Sequence, residues 1–111
     1  MSIAVSIEDL PAAIEAQIGW CYVLSVAASG QPRLVAVVPE WTADGALAVD
    51  VGGRTADNIA ARPNVALVFP PAAADGYSLI VDGEVSVDDR TVMLRPVSAV
   101  MHRPAVSAIE S

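Results

Sequence analysis

The chain has 111 residues, 54% of them apolar, with a mean hydropathy of +0.52 and a net charge of −7 carried against six arginines and no lysine. That length suits a single core, so residues 1–111 are read as one domain. An acidic chain without a basic cluster excludes nucleic acid and anionic membrane as main partners, and its longest apolar runs fall well short of the about 18 residues that a membrane span needs. No basic head followed by a long apolar core opens the chain, so a soluble, cytoplasmic protein is expected. The apolar share exceeds what one small domain hides, and a partner subunit or a ligand is expected to cover part of it.

In chain order, residues 1–5 read as an arm, and residues 7–18 as a helix with Ser6 or Asp9 as cap and Pro11 near its first turn. Leu10, Ile14, Gln17 and Ile18 share one face of that helix, which is expected to plug a barrel end or cover a sheet edge. Residues 20–26 form a nearly continuous apolar strand, which predicts burial on both faces. A turn at 29–32 leads to a second strand over 33–41, whose last part Pro39 confines to an edge or a bulge. Residues 42–45 turn the chain into a third strand, 46–51.

After Gly52 and Gly53, Thr55 stands as the expected N-cap of a helix of about two turns, with Ala56, Ile59 and Ala60 on its apolar face. Pro63 stops that helix, and 64–69 returns as a strand. Residues 77–88 alternate cleanly: Leu79, Val81, Val85 and Val87 point one way, and Asp82, Glu84, Ser86 and Asp88 the other. Gly83 interrupts this strand where a bulge or barrel corner is expected. Residues 91–95 make a last short strand, and from Pro96 onward a short helix or an arm is expected. The pattern is mainly β: a split or closed antiparallel barrel of about six strands, with an N-terminal helix and a short helix between the third and fourth strands.

Few residues are available for chemistry. Lone Cys21 permits no intrachain disulfide and no thiolate metal site, and a single histidine excludes a multi-histidine one. Asp82 and Glu84 read as solvated surface rather than paired catalytic acids. What remains is the turn before the second helix. The first N–H groups of a helix lack partners within it and carry partial positive charge, a natural seat for phosphate. Gly52 and Gly53 let a ligand approach the backbone, and Arg54 adds a planar cation. Any catalysis must be carried by a cofactor.

The run Arg54-Thr55-Ala56-Asp57-Asn58-Ile59, then Arg62-Pro63 and Val65-Ala66-Leu67-Val68-Phe69, resembles the hallmark of the pyridoxamine 5'-phosphate oxidase-like superfamily, the flavin-binding split barrels. The resemblance extends from about Gly19 to Pro104, and the ending with His102-Arg103 is similar to that of small actinobacterial-type members. It implies flavin mononucleotide (FMN) at a homodimer interface and a flavin-dependent oxidoreductase acting on a small molecule. It places the phosphate at Arg54, Thr55 and Ala56 with Asn58 close by, and the flavin ring along the second and third strands, at Val35, Val37 and Val51. Many members carry a lysine after the arginine that Arg54 matches, where this chain has Thr55. Arg33 is a second phosphate candidate or a hairpin arginine, Trp41 flanks the ring or is a core or interface tryptophan, and His102 reaches a partner's pocket or sits in a solvated tail. The same barrel also suits a deazaflavin coenzyme, or a non-enzymatic dimer that binds a ligand or no cofactor.

Overall fold

The structure, a computed structural model, describes residues 1–105. Eight strands form one antiparallel sheet: β1 (Ser2–Val5), β2 (Cys21–Val26), β3 (Pro32–Val37), β4 (Glu40–Trp41), β5 (Leu47–Asp50), β6 (Ala66–Phe69), β7 (Ser78–Asp88) and β8 (Thr91–His102). Helix α1 (Leu10–Glu15) precedes β2, and α2 (Gly53–Ala61) lies between β5 and β6. The strand order is β3-β2-β6-β7-β8-β5-β4, with β1 paired to β8. The fold is therefore mainly β with the expected short helix in its expected place, and it has two strands more than the sequence suggested.

The sheet is not closed into a barrel by hydrogen bonds, yet it must curl. Strands β3 and β4 occupy opposite ends of the order, and only Val38 and Pro39 join them. Three Cα steps separate Val37 from Glu40, so the two edges stand at most about 11 Å apart there. Pro39, without an N–H to donate, marks the place where the chain leaves one edge for the other. The strand expected over 33–41 is thereby divided in two.

The longest ladder, β7 with β8, pairs Ser78 with His102 at one end and Asp88 with Thr91 at the other. Its register shifts between Asp82, opposite Ser98, and Gly83, opposite Pro96, which leaves Val97 as the extra residue of a bulge, 61% exposed. This bulge explains why a proline sits inside a twelve-residue strand, and it corrects the expectation of a helix or arm from Pro96 to His102. Residues 106–111, on which the rest of that expectation falls, lie outside the described residues. Beyond the bulge β8 also pairs with β1, so residues 2–5 are a strand and not an arm.

Helix α1 is shorter than the apolar pattern over 7–18. Leu10 is fully buried and Ile14 packs on the core, while Gln17, past the helix end, donates through Nε2 to the carbonyls of Phe69, Pro70 and Tyr77. The core itself alternates as β-strands require: Cys21 and Val23, Leu67 and Phe69, Leu79 and Val81, and Val92 and Leu94 are buried, with Val85 and Val87 packed against them. Burial of β2 on both faces is not observed. Tyr22, Leu24 and Val26 are only half-buried. They lie with Leu34, Ala36, Val68 and Ile80 on the opposite face of the sheet, by register. Among the described residues, no helix is long and apolar enough to cross a membrane.

Gly83 is the fixed point of the bulge. A Cβ there would overlap the Arg95 carbonyl and lie 2.8 Å from Leu94 Cδ2, and the Arg95 backbone cannot move aside as a flexible side chain would. Gly83→Ala is expected to destabilise the protein by roughly 2–3 kcal/mol, in the range of an overpacked core. Urea denaturation checks this, and a wild-type midpoint would show that the close approach is not needed.

Candidate functional site

The phosphate-seat candidate is the junction of β5 and α2. The N-cap is Gly52, extended at φ −71 and ψ 162, rather than Thr55, so the helix starts three residues earlier than a Thr55 cap would place it. The reason is conformational: the Gly52 carbonyl accepts the Ala56 N–H at 2.9 Å, and no side chain caps the helix. The N–H groups of Gly53, Arg54 and Thr55 precede that first helical bond. A Cβ built on Gly52 would meet nothing within 4 Å, so the backbone is open to a ligand there. Arg54 is exposed, Thr55 half-buried and Ala56 buried against the core side.

The far end of α2 is anchored. Arg62 donates from Nε to the Val26 carbonyl at 2.8 Å and from Nη2 to Asn58 Oδ1 at 3.0 Å. Asn58 is thus turned along the helix towards Arg62, one turn on, and through it ties α2 to β2. Ala56 and Ile59 are buried as their spacing predicted, whereas Ala60, expected on the same face, is exposed. Arg62 leaves helical geometry at φ −135 and ψ 89, as the residue before Pro63 must.

Val51, Gly52, Gly53, Arg54, Thr55 and Ala56 are brought together by chain continuity. Arg33, Val35 and Val37 belong to β3, at the other end of the strand order. Val35 and Val37 pack against the core, and Arg33 is exposed opposite Ser25. The curl of the sheet carries the Val37 end of β3 towards Glu40, which pairs with Ala48 of β5. Trp41, on edge strand β4, is 40% exposed. His102 ends β8, where its Nδ1 lies 3.0 Å from Ser2 Oγ; it is part of a strand, not a tail. The Arg103 guanidinium is engaged over the Tyr77 ring, 4.8 Å from its centroid.

One residue at the junction escaped the sequence reading. Arg90, in the β7–β8 turn, accepts the Val51 N–H on its carbonyl at 2.9 Å, and its guanidinium lies beside Gly53. Its signal in the sequence is only that of a turn arginine. The ion pair among the described residues is Arg95 with Asp44, at 2.8 Å on the surface, which leaves Arg33, Arg54 and Arg90 without a carboxylate partner there. The Thr42 hydroxyl and then Arg95 hold the Asp44 carboxyl below its usual range. Cys21 is inert by burial, which pushes its thiol up to about 12. Among the described residues no three His, Cys, Asp or Glu side chains gather as a metal site.

Cavities also lie among the described residues. An apolar groove of about 470 Å³ runs past Leu24, Val26, Pro63, Ala66 and Asp82, and a polar hollow of about 260 Å³ is bounded by Asp44, Glu84, Ser86 and Arg95. Neither is lined by the ten residues that the sequence reading singled out.

No family model matches the chain. Among curated proteins, uncharacterized proteins of Mycobacterium bovis and Mycobacterium tuberculosis are each 44% identical over 62 residues, which cover 50% of this chain and 44% of theirs. The chain spans less than half the length of these relatives. Among solved structures, a candidate 5-nitroimidazole antibiotic resistance protein from Bacteroides thetaiotaomicron superposes with a TM-score of 0.64 at 13% identity, over 91% of this chain and 88% of that one. An FAD-binding protein from Mesorhizobium loti gives 0.60 at 15% identity, over 94% and 98%. A protein of Clostridium acetobutylicum related to general stress protein 26, of the pyridoxinephosphate oxidase family, gives 0.56 at 10% identity, over 87% and 84%. The fold is mainly β and split-barrel-like, as in these structures. At such identities the likeness is one of fold, and the junction of β5 and α2 has to be judged on its own chemistry.

Proposed function

We propose that this chain is a flavin-dependent oxidoreductase that binds FMN at the interface of a homodimer and acts on a small molecule in the cytoplasm. The observation that carries the reading is the uncapped start of α2, open at Gly52 and flanked by Arg54, which has no carboxylate partner among the described residues. A donor set of free N–H groups and guanidinium, with no acid among its own groups, fits a phosphate monoester. Two solved neighbours, one an FAD-binding protein and one of the pyridoxinephosphate oxidase family, make a flavin the fitting bearer of that phosphate.

In this reading the N–H groups of Gly53, Arg54 and Thr55 and the Arg54 guanidinium hold the phosphate. Val35 and Val37 of β3 and Val51 after β5 offer apolar contact to the ring across the seam of the curled sheet. Asn58 keeps α2 in place through Arg62, and Arg33 stands at the rim. The flavin, when bound, supplies the hydride or electron transfer, and the chain binds and orients it. The open space at Gly52 also suits a deazaflavin coenzyme, whose longer tail leaves the phosphate seat; it is the second reading of the same site. Binding without turnover of any acceptor would leave a ligand-carrying dimer.

The dimer is supported by the half-exposed apolar face of Tyr22, Leu24, Ala36, Val68 and Ile80, with Leu34 57% exposed on it. Contiguous apolar surface of this kind marks an interface. Light scattering at micromolar concentration is expected to give a dimer, and Leu34→Glu a folded monomer; a dimer undisturbed by that charge would place the interface elsewhere. Fluorescence titration is expected to show tighter binding of FMN than of riboflavin, and Arg54→Ala is expected to weaken FMN binding by about 1.5–3 kcal/mol. Unchanged affinity in that variant would remove Arg54 from the site.

A further inference from the structure

We infer that Arg90 supplies the second cation of the phosphate site, in place of the charge that Thr55 does not bring; this rests on the flavin reading above. Arg90 reaches the junction from a different hairpin. Two hydrogen bonds clamp the β7–β8 turn to the end of β5: Val51 N–H to the Arg90 carbonyl at 2.9 Å, and the Thr91 hydroxyl to Asp50 Oδ1, also at 2.9 Å. Asp89, at φ 55, takes the left-handed conformation that closes this tight turn. The backbone of Arg90 is therefore fixed beside the first turn of α2.

Its side chain is exposed and lies over the start of α2. The Arg90 Nε and Nη2 atoms each lie 3.8 Å from where a Cβ on Gly53 would stand, so the guanidinium rests against the glycine at the first helical position. It makes no ion pair among the described residues, although Asp50 is on the neighbouring strand and accepts from Thr91 instead. A guanidinium set beside the positive end of a helix, in a chain of net charge −7, gains from an anion between them. Arg54 from the helix and Arg90 from the hairpin then grip one phosphate from two elements.

The test compares FMN with riboflavin, titrated into the wild-type protein, Arg90→Gln and Arg90→Lys and followed by flavin fluorescence. Arg90→Gln is expected to weaken FMN binding by about tenfold or more and to leave riboflavin binding unchanged. Arg90→Lys, which keeps the charge, is expected to retain most of the preference for FMN. Equal loss of both ligands in Arg90→Gln would reveal a merely structural residue, and loss of neither a bystander; either result overturns the assignment while the flavin reading stands. A wild-type protein that binds riboflavin as well as FMN would overturn the phosphate site itself, and the assignment with it.

Discussion

The close approach of Gly83 to the Arg95 backbone is the constraint on which the sheet depends. It allows a bulge at Val97, and the bulge restores the inward alternation of β8 after Pro96, so that Leu94 on one side and Ala99 on the other both face the core. A single strand can then serve two neighbours, β5 before the bulge and β1 beyond it. Without the extra residue, either the first or the second half of β8 would turn its apolar side chains to solvent.

From that strand the candidate site follows. The first half of β8 holds β5 in register, and the turn that begins β8 is bonded to the residues on either side of the β5 end, Asp50 and Val51. Helix α2 is fixed at its other end by Arg62 on the Val26 carbonyl. The helix is thus tied where it ends and uncapped where it starts, an arrangement that leaves three backbone donors outside the helical ladder without loosening the fold. The stability of α2 comes from Ala56 and Ile59 against the core, not from a cap.

What the sequence made legible were features with local causes. The alternation of 77–88 and the stop of α2 before Pro63 need only side-chain period and proline geometry, and both are present. Gly30 and Gly45, at φ 89 and 88, sit in the turns foreseen for them. What escaped depends on partners distant in the chain. Pro96 looks like the end of a strand until Gly83 is set opposite it, and residues 2–5 look like an arm until β8 reaches them. Thr55 is the better cap by residue type, but the extended Gly52 starts the helix first. Arg90 has no local pattern that sets it apart, because its place beside Gly53 arises only when a hairpin folds against the end of β5.

The most direct test of the account is an amide-resolved NMR titration of the ¹⁵N-labelled protein with FMN and, separately, with riboflavin. The backbone amides of Gly53, Arg54 and Thr55 are predicted to shift with FMN and to remain in place with riboflavin, because the proposed site seats only the phosphate at the start of α2. Shifts that instead gather along the groove past Pro63 and Asp82, with the helix start silent, would contradict it.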